Sequence, residues 1–438
     1  MKKQSYPKIQ AHLIRGAFYV ILLVTVCALP FALGQRKVTK QSVAKLSSAR
    51  GGLAEARTAF PANIIVVTNT NDNGPGSLRD ALAVANDGDT IDATGISGTI
   101  LLTSGELQIT HAVTINGPGA ESLIVSGNGT SRVFDNLASN VTISGFYIGG
   151  GSAPGDNGGG ILNEGGNLRL KQCIIVGNSA AFGGGIFNFN GMLRVHKCTL
   201  NSNSAASSGG AIANSAFDGA ATLIVTDSTL SFNFANGDDG AGGGIVNGAE
   251  GSASSVASVI ISNSTLSGNS AFRSKGGGIA NTCDLPNVAR ATITNSTFSD
   301  NFGNANGDSI YNAGAAELKI GSTILNLNQH IGENIFNSGR ATSLGYNLSD
   351  DDGAGILTGP GDLINTDPEL GHLQPNGGPT DTHKPLPGSP AIDAGDPSFT
   401  PPPFFDQRGP NRYRVRGSRI DIGSFEVWQP RPTPAPRP

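Results

Sequence analysis

The chain has 438 residues, of which 62 are glycine and only 14% are charged, and its formal net charge at pH 7 is -4. Proteins that bind nucleic acid carry a basic excess, so this composition argues against a nucleic-acid partner. The low charge does not indicate disorder, because apolar residues recur at regular intervals through a background of glycine and asparagine.

The first 34 residues have the pattern of a signal peptide. Basic residues precede an apolar run over residues 17–33, and Ala32 and Gly34 supply small residues before a cleavage site. The alternative is an uncleaved membrane anchor, since a run of this length lies at the lower limit for crossing a bilayer. Cleavage is preferred, which predicts an exported mature chain without a membrane span. Residues 35–61 are predicted to be a linker.

Residues 62–90 are predicted to form an N-terminal cap, with a short helix in "GSLRDALAVAN" that covers an open sheet edge. The preceding stretch from Asn69 to Asp80 has a loose calcium-loop spacing. Its neutral amides are poor ligands for a hard cation, so a tight turn is preferred. The acidic stretches 236–244 and 349–353 are equally weak Ca²⁺ candidates. We predict no cofactor and no metal ligands.

A repeat organises residues 91–350. Each copy has an anchor residue with an apolar residue two positions later and an asparagine five positions later. The anchors are Cys173, Cys198, Ser228, Ser264, Ser296 and Thr323. The asparagines are predicted to stack as a structural ladder and are Asn178, Asn203, Asn233, Asn269, Asn301 and Asn328.

Apolar residues three and five positions before each anchor alternate with polar ones, which predicts a β-strand with one buried face. The anchors lie between 25 and 36 residues apart and no 3.6-residue period is present, so each repeat is one coil of a solenoid. The sequence therefore predicts an all-β fold, a single-stranded right-handed parallel β-helix. It would have nine or ten coils and a length of roughly 45 Å at the usual strand spacing.

A second motif, "SGGAIAN" from Ser208 to Asn214, has four near-copies of the form GGGI-x-N. A phosphate-binding loop occurs once, ends in GK[ST] and precedes a helix, and none of this holds here. The motif is therefore predicted to be architectural, with glycines that permit positive φ and close approach between coils. Two buried thiols in one ladder, Cys173 and Cys198, are preferred over a disulfide, and no cysteine spacing indicates zinc.

These repeats resemble the GGA(I/L)…FxxN repeats of chlamydial polymorphic membrane proteins and of the wider group of bacterial right-handed parallel β-helix proteins of pectate-lyase-like architecture. "NDNGPGSLRDALAVANDGDTI" resembles the CSLREA-type segment of such secreted proteins. "LPGSPAIDAGDP", "DQRGPNR" and "IDIGSFE" are similar to the choice-of-anchor Q region. The resemblance implies a pectate-lyase-like solenoid, a choice-of-anchor-like region over residues 351–427 that folds against the far end, and a cell-surface location. Residues 428–438 are predicted to be a Pro-rich extended tail.

The outward positions of two adjacent coils carry a basic patch. It comprises Arg169, Lys171, Arg194 and His196, with Lys197 beside them. A solvated basic face is the preferred interpretation, and a binding site for an acidic glycan is the sharper hypothesis. Polysaccharide lyases of this fold use acids that hold Ca²⁺ and an Arg or Lys base, and no carboxylate occupies the matching positions here, so no catalytic residue is predicted.

The inserts between motifs grow along the chain at residues 214–222, 247–258 and 281–290. Insertions in a solenoid collect on one face, which is often the binding face. We predict a secreted or cell-surface protein that is non-catalytic, adhesin-like or a glycan-contacting scaffold, with a polysaccharide or a host or envelope surface as its partner. The alternatives are a polysaccharide lyase or glycoside hydrolase acting on an acidic glycan, and a purely structural envelope component.

Overall fold

The computed structural model of this chain describes residues 62–428, apart from residues 239, 252, 253, 305, 329, 330 and 416–418. The predicted signal peptide (1–34), the predicted linker (35–61) and the predicted tail beyond Trp428 lie outside the described residues.

The described chain is an all-β parallel β-helix of about ten coils, which confirms the predicted fold class. Each complete coil passes through four parallel sheets, named here sheets 1 to 4 in coil order, and every strand pairs with its equivalent in the next coil. One helix, α1 (Leu78–Val84), and one 3-10 turn (Gly353–Gly355) accompany the strands of the described residues.

Sheets 1 and 2 carry the strands on either side of each anchor. The eleven strands of sheet 1 are Ile64–Val66, Thr90–Asp92, Thr114–Asn116, Asn140–Ser144, Asn167–Lys171, Met192–His196, Ala220–Thr226, Val256–Ser262, Val288–Thr294, Glu317–Gly321 and Arg340–Gly345. The ten strands of sheet 2 are Gly98–Leu101, Leu123–Ser126, Tyr147–Gly149, Ile174–Val176, Thr199–Asn201, Thr229–Ser231, Thr265–Ser267, Thr297–Ser299, Ile324–Asn326 and Leu348–Ser349.

Sheets 3 and 4 complete the coil. The six strands of sheet 3 are Ser152–Asn157, Ser179–Phe182, Ser204–Ser208, Phe234–Ala235, Ser270–Ala271 and Phe302–Gly303. The nine strands of sheet 4 are Leu107–Ile109, Phe134–Asn136, Ile161–Glu164, Ile186–Phe189, Ile212–Phe217, Ile245–Glu250, Ile279–Cys283, Ile310–Gly314 and Ile335–Asn337.

The core follows from the alternation along each strand. The residues three positions before the anchors pair in register from coil to coil and are fully buried, as are most of those five positions before. In sheet 1, for example, Leu193, Leu223 and Val259 form part of one inward ladder. Their outward neighbours, including Arg194, Ile224 and Ile260, form ladders on the outer face in the same register.

The "SGGAIAN" motif is the corner between sheets 3 and 4. Gly209 has a φ of +70°, and a Cβ there would lie 2.6 Å from the carbonyl oxygen of Ile212. A Cβ on Gly210 would lie 2.3 Å from the carbonyl oxygen of Gly243 in the next coil, so coil stacking itself requires glycine there. Ala211 fills the third position, and Ile212 is the first buried residue of the strand that follows.

Buried asparagines form two ladders. In the first, the side-chain amide nitrogens of Asn178, Asn203, Asn233 and Asn269 donate to the side-chain oxygen of the asparagine in the next coil, at 2.8–2.9 Å, ending at Asn301. Asn328 is not part of it: sheet 3 ends with Phe302–Gly303, and Asn328 instead lies exposed in a left-handed turn and donates to Asp300.

The second ladder runs through sheet 4 and involves the asparagine of each GGGI-x-N motif. Its side chains are joined by amide-to-oxygen bonds of 2.6–2.8 Å. Its members are Asn136, Asn163, Asn188, Asn214, Asn247, Asn281, Asn312 and Asn337. These bonds satisfy amide groups that would cost about 1–3 kcal/mol each if buried without partners.

Helix α1 lies where the sequence predicts a helix. The hydroxyl of Ser77 caps it by accepting a bond from the backbone nitrogen of Asp80 at 3.1 Å. Leu78, Ala81 and Leu82 are buried in the continuous core of the solenoid, so the helix covers its first coils.

Residues 351–427, the C-terminal segment, take a different course from the one predicted. They begin at the last coil, where Leu363 bridges to Leu348, but then run back along the outer face of sheet 2. The side chain of Gln407 reaches Thr265 and Thr229, three and four coils before the last one. This face carries threonine and serine hydroxyls in successive coils, and the segment covers them. Their polar atoms are satisfied by hydrogen bonds to the segment.

Candidate ligand-binding site

The basic patch lies on the outer face of sheet 1. Arg169 pairs in register with Arg194, and Lys171 with His196, so the four side chains form two short ladders with a spacing of about 4.8 Å. Arg169 and Arg194 bond to the side-chain oxygens of Asn140 and Asn167, at 3.2 and 2.8 Å.

The patch retains most of its positive charge. Within the part of the chain that the structure describes, none of the ion pairs within 4.0 Å involves Arg169, Lys171, Arg194 or Lys197. Arg290, on the same face, is by contrast paired with Glu317 at 3.1 Å. The patch is therefore suited to an anionic ligand.

One carboxylate adjoins the patch. Asp227 Oδ2 lies 3.3 Å from His196 Nδ1, which is also 3.0 Å from the hydroxyl of Thr226. The sequence reasoning missed Asp227 because it compared only the outward strand positions. Asp227 stands one residue before its anchor, the place that Lys197 takes in the previous coil, where the chain bends with φ near +50°. Extending the repeat alignment by one position would have found the pair.

The environment of this pair disfavours charge on both partners. Burial lowers the pKa of His196, with Lys197 and Lys171 acting in the same direction and Asp227 opposing them. Burial also raises the pKa of Asp227, against the hydrogen bond from Asn263 and the nearby cations. His196 is therefore held largely as a neutral imidazole at neutral pH, able to accept a proton.

The C-terminal segment borders the site. The side-chain nitrogen of Asn263, one coil beyond Asp227, donates both to Asp227 Oδ1 and to the backbone oxygen of Phe405. Arg414 of the segment donates to the side-chain oxygen of Asn263 at 2.7 Å. The site is thus built from a solenoid bend and from a segment some 150 residues later in the chain.

The inserts at 214–222, 247–258 and 281–290 are largely strand extensions, and not the open ligand-binding loops that the sequence suggests. Strands of sheets 4 and 1 continue into them and face each other through a separate small core. That core contains Ala216, Ala221, Ala249, Ala257, Cys283, Ala289 and Ala316. The small residues of the inserts therefore allow two extended layers to pack closely, which leaves only the tips as loops.

The remaining sequence candidates have structural roles. Cys173 and Cys198 are buried free thiols in adjacent coils, and the thiol of Cys198 accepts the backbone N–H of Cys173 at 3.4 Å. In the Asn69–Asp80 loop, the Asn69 side chain accepts from Asn71 and donates to Pro75 within a tight turn. Over the described residues, no group of three or more His, Cys, Asp or Glu side chains is placed to hold a metal.

A cleft of about 690 Å³ opens at the N-terminal end of the solenoid beside α1. Its buried Arg132 donates to Glu106 at 2.6 Å and to Asp156 at 2.8 Å. Arg79, also on the cleft wall, pairs with Asp72, and this pairing together with backbone donors holds the pKa of that carboxyl far below its usual range despite burial. The charges of this cleft are satisfied internally, unlike those of the basic patch.

No protein-family model matches the sequence. No curated protein matches it. Among solved structures, the chain is similar to the crystal structure of pectate lyase Pel9A, with 14% identity and a TM-score of 0.47 over 84% of this chain and 97% of that one. A likeness this distant concerns the fold alone. No helix within the described residues has the length and apolarity to cross a membrane.

Proposed function

We propose that this is an exported cell-surface β-helix protein, adhesin-like and non-catalytic, that contacts acidic glycans through the basic patch. The observation that carries the proposal is the in-register stacking of Arg169 on Arg194 and of Lys171 on His196, without carboxylate partners for the arginines or the lysine. The predicted signal peptide and the resemblance of the end motifs to CSLREA-type and choice-of-anchor Q proteins support surface placement.

A linear polyanion is the ligand that fits this arrangement best. Cationic groups that repeat at the coil spacing present a row of positive charge along the solenoid axis, so successive carboxylates or sulfates of one chain can be contacted in turn. The flanking hydroxyls and amides of Asn140, Asn167 and Thr226 supply hydrogen-bond partners for sugar hydroxyls.

Retention of the full-length protein on immobilised polygalacturonate, with neutral dextran as the comparison matrix, tests the proposal. We expect salt-sensitive binding to the acidic matrix that falls at least tenfold in the double variant Arg169→Gln/Arg194→Gln, since two charge-assisted contacts are lost. Arg290→Gln is the matched control, because Arg290 lies on the same face but is already paired with Glu317. Equal retention on dextran, or unchanged binding by the double variant, would refute the proposal.

The His196–Asp227 pair favours a second candidate function, an acidic-polysaccharide lyase. A neutral imidazole beside a carboxylate and two lysines can remove the proton from the carbon next to a uronate carboxylate whose charge the lysines offset. The glycosidic C–O bond on the adjacent ring carbon then breaks, a C=C double bond forms, and the leaving oxygen takes up a proton from water. Incubation with polygalacturonate would then release unsaturated products, detected by ultraviolet absorbance, and His196→Gln would abolish the release. If the wild type shows no release while it binds the matrix, the non-catalytic function stands.

A further inference from the structure

The site does not end at the solenoid, because its carboxylate is connected by hydrogen bonds to the C-terminal segment. We infer that Arg414, acting through Asn263, positions Asp227 against His196, so that docking of the C-terminal segment regulates the site. This inference rests on the proposed function for its biological meaning, but its geometry and its test do not depend on the identity of the ligand.

Arg414 is fully buried, and its Nη2 donates to acceptors from both sides of the interface. These are the side-chain oxygen of Asn263 at 2.7 Å, the backbone oxygen of Asn295 at 3.1 Å and the backbone oxygen of Gly423 at 2.6 Å. Arg414 is therefore anchored to the solenoid bend and to its own segment at the same time.

The orientation of the Asn263 amide follows from this anchoring. A primary amide has one acceptor oxygen and one donor nitrogen, and the oxygen of Asn263 faces the guanidinium. Its nitrogen must then face the opposite way, where it donates to Asp227 Oδ1 and to the backbone oxygen of Phe405. Without Arg414 the orientation of the Asn263 amide is no longer fixed, and Asp227 loses a donor that is held in place.

The charge of Asp227 depends on the same contacts. The groups that face the pair are Lys171 and Lys197 around His196, with Asn263 and Arg414 around Asp227. Burial raises the pKa of Asp227, while the Asn263 hydrogen bond and the Arg414 charge are among the effects that oppose it. In Arg414→Met the segment stays docked and Asp227 stays buried, but it loses the Arg414 charge and the fixed orientation of the Asn263 donor. Asp227 then binds a proton more readily, so the field that raises the pKa of His196 weakens.

A purely structural clamp would hold the segment in place without affecting His196, and an NMR titration of the full-length protein separates the two roles. The His196 ring proton is assigned from its disappearance in His196→Gln, and its pKa is then measured without any glycan. Asp227→Asn is the reference variant, in which the pKa of His196 should fall by about 1 unit because an adjacent opposite charge is lost. Arg414→Met should lower the pKa of His196 in the same direction by a smaller amount.

Arg412→Met is the matched control, because Arg412 lies two residues away in the same segment but is exposed. In Arg412→Met, His196 should have the same pKa as in the wild type. If Arg414→Met does not fold, Asn263→Ser breaks the connection from the solenoid side and should give the same fall. The inference would be overturned if Asp227→Asn lowered the pKa of His196 but Arg414→Met or Asn263→Ser left it unchanged. It would also be overturned if Asp227→Asn had no effect on that pKa. Failure of the polygalacturonate retention test would refute the proposed function and leave this result unaffected.

Discussion

The solenoid and the C-terminal segment are both held by buried polar groups, but in different ways. In the solenoid, each ladder asparagine bonds to its equivalent in the next coil, and the same contact recurs along the axis. In the segment, each contact is made once by a different residue, such as Gln407 on Thr265, His383 on Ser267 and Arg414 on Asn263. A repeated contact can be lost in one coil and kept in the others, whereas a contact made once has no substitute.

The two regions also differ in ionisable groups. The Asn ladders contain none, while the segment buries Asp406, Arg414, Asp421 and Glu426. Burial raises the pKa of Glu426 to about 9, with repulsion from Asp421 in the same direction and Arg414 opposing it. The Asn ladders should therefore be insensitive to moderate pH changes, and the docking of the segment should respond to them.

The largest effect is expected from the apolar ladder of the solenoid. Leu223→Ala removes a fully buried side chain that lies between Leu193 and Val259, and should lower the free energy of unfolding by about 2–5 kcal/mol. The matched control is Ile224→Ala at the next, outward position, which should cost less than about 1 kcal/mol. Urea unfolding followed by circular dichroism measures both. Equal losses of unfolding free energy in the two variants would contradict the assignment of Leu223 to the buried face and Ile224 to the outer face.

An intermediate effect is expected from the first Asn ladder. Asn203→Ala removes the oxygen that accepts from both the side-chain and the backbone nitrogen of Asn178, and it removes one of the two donors to Asn233. The free energy of unfolding should therefore fall by about 2–3 kcal/mol. Asn328→Ala is the control, because this asparagine occupies the same repeat position but is exposed. Its substitution places alanine in a left-handed turn and removes an exposed bond to Asp300, so it should lower stability by only about 1 kcal/mol. Comparable losses in the two variants would mean that the ladder bonds contribute little.

Asn203 and Asn328 also show how far sequence reasoning reaches. The repeat predicts the solenoid, the inward ladders and the positions of the stacked asparagines, because in-register stacking places equivalent residues of successive coils in the same contact. It cannot show that sheet 3 ends at Phe302–Gly303, and so it assigns Asn328 to a ladder with no neighbour to continue it. Repetition predicts the interior of a solenoid better than its ends.

The candidate site divides in the same way. Arg169, Lys171, Arg194 and His196 occupy aligned repeat positions, and their juxtaposition on one face can be predicted from the sequence. Arg414 and Gln407 belong to a segment without a repeat, so no alignment of coils places them beside Asn263 or Thr265. Their contacts depend on how a long non-repetitive chain crosses sheet 2, which only the folded structure reveals.

The pH dependence is expected to concern the docking of the segment alone and to leave the fold of the solenoid intact. Burial raises the pKa of Asp421 to about 6 and that of Glu426 to about 9, whereas these carboxyls titrate near 3.8 and 4.5 when exposed. The docked segment therefore binds more protons than the undocked one, and docking should weaken as pH rises from about 4 to about 9. Amide hydrogen exchange, corrected for its intrinsic pH dependence, should show protection of residues 380–427 falling relative to the solenoid over this range. Glu426→Gln, which is neutral at every pH, should flatten the decline while leaving the protection of the sheet 1 strands unchanged. A segment whose relative protection is constant from pH 5 to 9 would show that its buried carboxyls do not control docking.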